Sequence, residues 1–136
     1  MCSVIAVDTN IIAYLYLPTE YTKYAEKLLI KEPVWSAPSL WRSEFRNVLA
    51  LYLRKDFITF EQAIQIQTEA ELLMEGNEFE LNSIDILKLV KDSSCSAYDC
   101  EFVALAQQLE TTLVTADKKI ISEFPNTATS IQLFLK

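Results

Sequence analysis

Ser3-Val4-Ile5-Ala6-Val7-Asp8-Thr9-Asn10 is the stretch on which the fold turns. Val4 to Val7 is short, continuous and rich in β-branched residues, as expected of a strand buried on both faces. It ends on a carboxylate, a hydroxyl and an amide. Strands that stop this way either start a turn or form the wall of a polar site, and the other acidic residues bear on the choice.

Working outward, apolar runs of strand character alternate with stretches of helical spacing. Helices are expected over 10–17 and 21–31, and a second strand over 34–36 between Pro33 and Pro38. Residues 39–55 read as a long amphipathic helix with Trp41, Phe45, Val48, Leu49 and Tyr52 on one stripe. A helix over 59–74 opens on a capping-box pattern, Thr59 to Gln62, and stops at Gly76 and Asn77. A short strand over 80–83, helices over 84–90 and 97–109, a strand over 112–115, a helix over 118–124 and a closing strand over 130–135 complete the expected order. The alternation predicts an α/β layer fold on a mostly parallel sheet, in one domain spanning 1–136.

Composition narrows the chemistry. The chain has 136 residues, 51% of them apolar, one Gly and no low-complexity tract. No run reaches the about 18 apolar residues of a membrane span, and Asp8 and Asn10 interrupt the first apolar run, so a soluble, cytoplasmic chain is expected. There is no His, and Cys2, Cys95 and Cys100 form no CxxC pair. A His/Cys zinc site and Ser-His or Cys-His catalysis are thereby excluded. Any chemistry must rest on carboxylates, hydroxyls, Lys or Arg. The net charge of −7 argues against a dedicated nucleic-acid binder, yet leaves room for an enzyme whose acidic site is neutralised by cations.

In open α/β sheets, ligands bind beyond the carboxyl ends of the strands. Asp8 follows the first strand and Asp117 follows the strand over 112–115. Each alone reads more readily as a turn or cap residue. Glu44 lies three residues after Trp41 and four before Val48, which turns it toward the apolar stripe of its helix. There a carboxylate needs a cation or hydrogen bonds, and Arg42 and Arg46, at i−2 and i+2, point elsewhere. Asp99 opens a helix behind Ser96, an ordinary place for an acid. Asp85, Asp92 and Glu101 have equally ordinary surface or capping readings. If the four acids converge, they need cations between them, and an all-oxygen donor set favours Mg²⁺ or Mn²⁺. Metal-assisted phosphoryl transfer is then a coherent reaction class.

Four segments together resemble the PIN-domain family, and within it the VapC-like ribonuclease toxins: Val7-Asp8-Thr9-Asn10-Ile11; Ser43 to Leu49 around Glu44; Ser96-Ala97-Tyr98-Asp99 followed by Phe102 to Ala106; and Leu113 to Lys119 around Asp117. The resemblance runs over essentially the whole chain. It implies a three-layer α/β/α sandwich around a parallel sheet of four or five strands. It further implies that Asp8, Glu44, Asp99 and Asp117 bind one or two Mg²⁺ or Mn²⁺ ions, with Asn10 and Thr115 supporting them. The implied activity is cleavage of single-stranded RNA by metal-activated water, leaving a 5′-phosphate. The implied partners are an RNA substrate, a VapB-like antitoxin and a second copy of the chain.

Glu101 departs from the family pattern, where small or apolar residues are usual. In so acidic a chain, RNA contacts must come from local cations, and Arg42, Arg46, Lys118 and Lys119 are the candidates. Trp35, Trp41, Tyr14 and Tyr16 suit either the core or a dimer or antitoxin surface. Competing readings are a phosphatase-like use of Asp8 as nucleophile, disfavoured because Asn10 stands where a second acid is wanted, an RNA-processing protein without an antitoxin, and a PIN-like module that binds without cutting.

Overall fold

The computed structural model describes residues 3–136; Cys2 lies outside them. Five parallel strands form one sheet: β1 (Val4–Val7), β2 (Val34–Pro38), β3 (Glu78–Phe79), β4 (Leu113–Val114) and β5 (Ala128–Thr129), in the order β3-β2-β1-β4-β5. β1 is central, with Val4, Ile5 and Ala6 opposite Val34, Trp35 and Ser36 on one side, and Ala6 and Val7 opposite Leu113 and Val114 on the other. Its continuous apolar reading follows from this position, since Ile5, Ala6 and Val7 are all buried.

Helices fill both faces. The chain steps from β1 to β2 through α1 (Thr9–Tyr16) and α2 (Thr22–Lys31), and from β2 to β3 through α3 (Trp41–Arg54) and α4 (Phe60–Met74). It then returns across the sheet to β4 through α5 (Ser83–Lys91) and α6 (Ala97–Gln108), and reaches β5 through α7 (Lys118–Glu123). Right-handed crossovers running in opposite directions put α1 to α4 on one face and α5 to α7 on the other. The result is the expected three-layer sandwich. A short α8 (Ile131–Phe134) packs back against α2.

The core explains the aromatic residues. Trp35, Trp41, Phe45 and Phe102 are fully buried, each such ring contributing about 1.5–3 kcal/mol by burial alone. Trp35 and Trp41 are therefore core residues and unavailable as a docking surface, whereas Tyr14 and Tyr16 are only half-buried. Cys95 and Cys100 are free, buried thiols. Gly76 takes φ +82° just past α4, a left-handed turn that its lack of a side chain permits. The expected capping box at Thr59 and Gln62 is formed in both directions.

Two strand expectations need correction. The third strand is Glu78–Phe79 rather than 80–83, because Asn82 caps α5 by accepting from the Asp85 amide and so draws residue 83 into a helix. The closing strand is only Ala128–Thr129; the Ser130 hydroxyl accepts from the Leu133 amide, and the segment over 131–134 coils into α8. In both places a side-chain cap at the first helical turn outweighs apolar content.

Candidate active site

At the carboxyl ends of β1 and β4 the sheet order switches direction, and Asp8 and Asp117 stand on either side of that switch point. The Asp8 amide donates to the Val114 carbonyl at 3.0 Å, zipping the two strand ends together. Asp8 then caps α1, its Oδ1 accepting from the Thr9 amide at 2.8 Å. Its Oδ2 accepts from the Thr115 hydroxyl at 2.6 Å and, more weakly, from the Asn10 side-chain amide at 3.4 Å. Asp8 is 8% exposed and Thr115 is fully buried.

Thr115 also works in the other direction. Its hydroxyl accepts from the Asp117 amide at 3.0 Å, so one side chain orients the residues that follow both strands. Asp117 caps α7, its Oδ1 accepting from the amides of Lys119 and Ile120. Asn10 Oδ1 accepts from the Ala116 amide at 3.2 Å, tying α1 to the same turn. The cap reading and the site reading of these aspartates thus coexist: capping is how the backbone aims each carboxylate.

Glu44 lies in the first turn of α3, half-buried beside the stripe formed by Trp41, Phe45 and Leu49. Its partner is no arginine. Thr9 Oγ1 donates to Glu44 Oε1 at 2.6 Å, which gives a role to a residue that sequence reading leaves without one. Asp99 sits in the first turn of α6, whose cap Ser96 accepts from the Asp99 amide at 3.0 Å.

The carboxylates feel one another. Burial pushes the Asp8 carboxyl up to about 6, against the opposing pull of Thr115 and the Thr9 amide, and the charges of Glu44 and Asp99 add to the rise. Burial likewise raises Glu44, with Asp99 adding to it, and raises Asp99, with Asp117 adding to it. Glu101 joins the edge of this field: burial, Glu80 and Glu44 all raise it. Among the described residues none of these acids takes part in a salt bridge. Among the described residues no three acids or thiols lie close enough together to hold a metal ion as they stand. The donor chemistry fits a hard divalent cation: every available ligand atom is a carboxylate oxygen, and a cation would relieve the strain on Asp8.

The four cationic candidates fare differently. Arg42 is committed elsewhere: its Nε and Nη2 donate to Glu78 at 2.6 and 2.7 Å, and its Nη1 to Glu71 at 3.0 Å. Arg46 is exposed and donates to the Arg42 carbonyl. Lys118 and Lys119 are exposed beside Asp117.

A parallel five-stranded sandwich with carboxylates gathered at its switch point defines a family, and the PIN domain model matches residues 5–126. The chain belongs to the PIN-domain family. It is similar to Ribonuclease VapC3 of Pyrobaculum aerophilum, 25% identical over 89% of this chain and 95% of that protein. Among solved structures it resembles PAE2754 from Pyrobaculum aerophilum, with a TM-score of 0.76 and 15% identity over 98% of this chain and 87% of that one. It also resembles FitAcB from Neisseria gonorrhoeae, with a TM-score of 0.74 and 15% identity over 94% of this chain and 98% of that one. A third similar structure is FitAB bound to an IR36 DNA fragment, with a TM-score of 0.70 and 16% identity over 93% of this chain and 94% of that one.

Proposed function

We propose that this chain is a Mg²⁺- or Mn²⁺-dependent endoribonuclease acting on single-stranded RNA, in which Asp8, Glu44, Asp99 and Asp117 hold the metal. The observation that carries the reading is Asp8: a carboxylate raised by its burial and by the charges of Glu44 and Asp99, hydrogen-bonded on both oxygens yet without a cationic partner among the described residues. A site built this way is costly unless a cation occupies it. Similarity to Ribonuclease VapC3 supports RNA as the substrate class.

The bound ion supplies an activated water and charge neutralisation at the scissile phosphate. The chain's own residues set the geometry. Thr115 and Asn10 fix the rotation of Asp8, Thr9 fixes that of Glu44, and the caps of α6 and α7 fix Asp99 and Asp117. Such outer partners hold ligands near the productive arrangement before the ion arrives.

The VapC resemblance supports the toxin of a VapBC-type pair, restrained by a VapB-like antitoxin and assembled as a homodimer. An apolar groove of about 680 Å³ between α1, α3 and α4, lined by Leu17, Pro18, Tyr52, Phe57, Ile58 and Ile66, offers a partner a large surface to bury. The discriminating observations are whether the adjacent gene encodes a small protein with a DNA-binding N-terminus, and whether the purified chain sediments as a dimer.

Cleavage of unstructured and hairpin RNAs with Mg²⁺, with EDTA, and with Asp8→Asn and Asp99→Asn tests the core of the proposal. Metal-dependent scission of the unstructured RNA, leaving 5′-phosphates and lost in both variants, is the expected result. Cleavage that survives EDTA and both substitutions would sink it.

A further inference from the structure

Lys23, Lys27 and Lys31 recur every fourth residue along α2, so they form one stripe with about 6 Å between neighbours along the axis. Facing this stripe is α8, and between the two runs a furrow made of three adjoining clefts. The first, about 200 Å³, is lined by Tyr14, Tyr21, Gln132 and the two chain neighbours of Asp117, Ala116 and Lys118. The second, about 190 Å³, is lined by Tyr21, Lys23, Tyr24, Gln132 and one carboxylate, Glu20. The third, about 500 Å³, is lined by Tyr24, Lys27, Lys31, Gln132 and Lys136. Tyr21 is shared by the first two clefts, Tyr24 by the last two and Gln132 by all three, so they form one continuous path.

The path is unlike the rest of the molecule. The chain has 19 acidic residues against 12 Lys and Arg, yet five lysines and a single glutamate line these clefts. Among the described residues no salt bridge neutralises any of the five. Aromatic rings alternate with the charges. The Tyr14 and Tyr21 rings pack at a tilt of 32° with centroids 4.9 Å apart, and the Lys23 ammonium lies 5.3 Å from the Tyr24 ring centroid. Tyr14 is one helical turn beyond Asn10, which supports Asp8, and Lys118 directly follows Asp117.

We propose that this furrow is the substrate track: a single RNA strand lies between α2 and α8, an unpaired base against the Tyr14–Tyr21 pair next to the acidic site, and its phosphates along Lys23, Lys27 and Lys31. The proposal rests on the nuclease reading above and names where its substrate runs. Single-strand channels combine a cationic groove that follows the backbone with aromatic faces that take bases. An acidic peptide would satisfy the lysines but would make no use of the half-buried tyrosine rings, nor of the path's end at the chain neighbours of Asp117.

The test uses the full chain in EDTA, so that binding is read without cleavage. A fluorescent, unstructured single-stranded RNA is titrated across a salt series against wild type, the triple variant Lys23→Gln/Lys27→Gln/Lys31→Gln, and Tyr21→Ala. A charge-matched control changes Lys55, just past α3, and Lys88 and Lys91, on α5, to Gln; thermal melts establish that all variants fold. The expected result is that the α2 triple flattens the salt slope by about 2, Tyr21→Ala weakens binding about tenfold, and the control triple matches wild type. With Mg²⁺ present, the α2 triple raises KM for a long unstructured RNA. Equal losses in both triples, or RNA binding untouched by the α2 triple and Tyr21→Ala, overturn the track. So does displacement of the RNA by polyglutamate as effectively as by unlabelled RNA. If the binding pattern appears and wild type cleaves nothing with Mg²⁺, the track stands and the nuclease reading falls.

Discussion

Thr9 donates its hydroxyl to Glu44 at 2.6 Å and its amide to Asp8 at 2.8 Å, so one residue grips its neighbour's carboxylate and another 35 residues further along the chain. Thr9→Val keeps the shape and removes only the hydroxyl bond. Metal affinity, measured by Mn²⁺ calorimetry, should fall about 10- to 100-fold, and Thr9→Ser should restore most of it. Unchanged affinity in Thr9→Val would show that Glu44 is positioned by other means.

Thr115→Val is the companion case at the other strand. It removes the donor to Asp8 and the acceptor for the Asp117 amide together, inside a fully buried position. Melting temperature and metal affinity should both drop, the former because a buried carboxylate and a backbone amide each lose a partner, at about 1–3 kcal/mol. Thr115→Ser should behave nearly as wild type.

Asp8 gives the protein a distinctive response to pH. Its carboxyl is raised from 3.8 to about 6. Between those values the unfolded chain releases the proton while the folded chain keeps it, so metal-free stability falls as pH rises, by about 3 kcal/mol once both are ionised. Below about pH 4 this penalty is absent. Asp8→Asn should therefore melt higher than metal-free wild type at pH 8 and lose that advantage at pH 4. Part of the gain is given back, because Asn offers one acceptor oxygen where the Thr9 amide and the Thr115 hydroxyl each use one. Mg²⁺ should raise the wild-type melting temperature more at pH 8 than at pH 5, read by calorimetry. A metal-free protein whose stability stays level across this range would contradict the burial argument.

Arg42 is expected to act on stability rather than on RNA. Its guanidinium grips both oxygens of Glu78, which also accepts from Trp41 Nε1 at 2.7 Å, joining α3 to β3. Arg42→Ala should lower the melting temperature and leave the salt dependence of RNA binding unchanged. Glu78 is held below its usual range by Arg42, so this clamp is intact near neutral pH and is lost as pH falls through the Glu78 titration.

The sequence discloses the ends of β1 and β4 and the Glu44 stripe because local periodicity encodes them. The Ser96 and Thr59 caps are legible for the same reason: each acts within a single turn. The role of Thr9 is invisible to such reading, since its partner stands on another helix. The α2 lysine stripe is visible as spacing, yet becomes a path only once α8 lies against it, and α8 itself was hidden behind apolar residues that suggested a strand. The Arg42 clamp depends on Glu78 and Glu71, brought together only by the sheet and α4.

The hydrogen bond from Thr115 to Asp8 spans 107 residues of chain, and its placement beside the central strand bears on how the protein comes into being. Asp8, which follows β1, is held by a residue that follows β4. A polypeptide halted anywhere before Leu113 has Asp8 without its clamp and lacks Asp117 altogether. The candidate site is therefore completed late in translation: a growing chain carries Asp8, Glu44 and Asp99 before Thr115 and Asp117 exist, and a proteolytic cut behind α6 that releases the C-terminal segment returns it to that unfinished state.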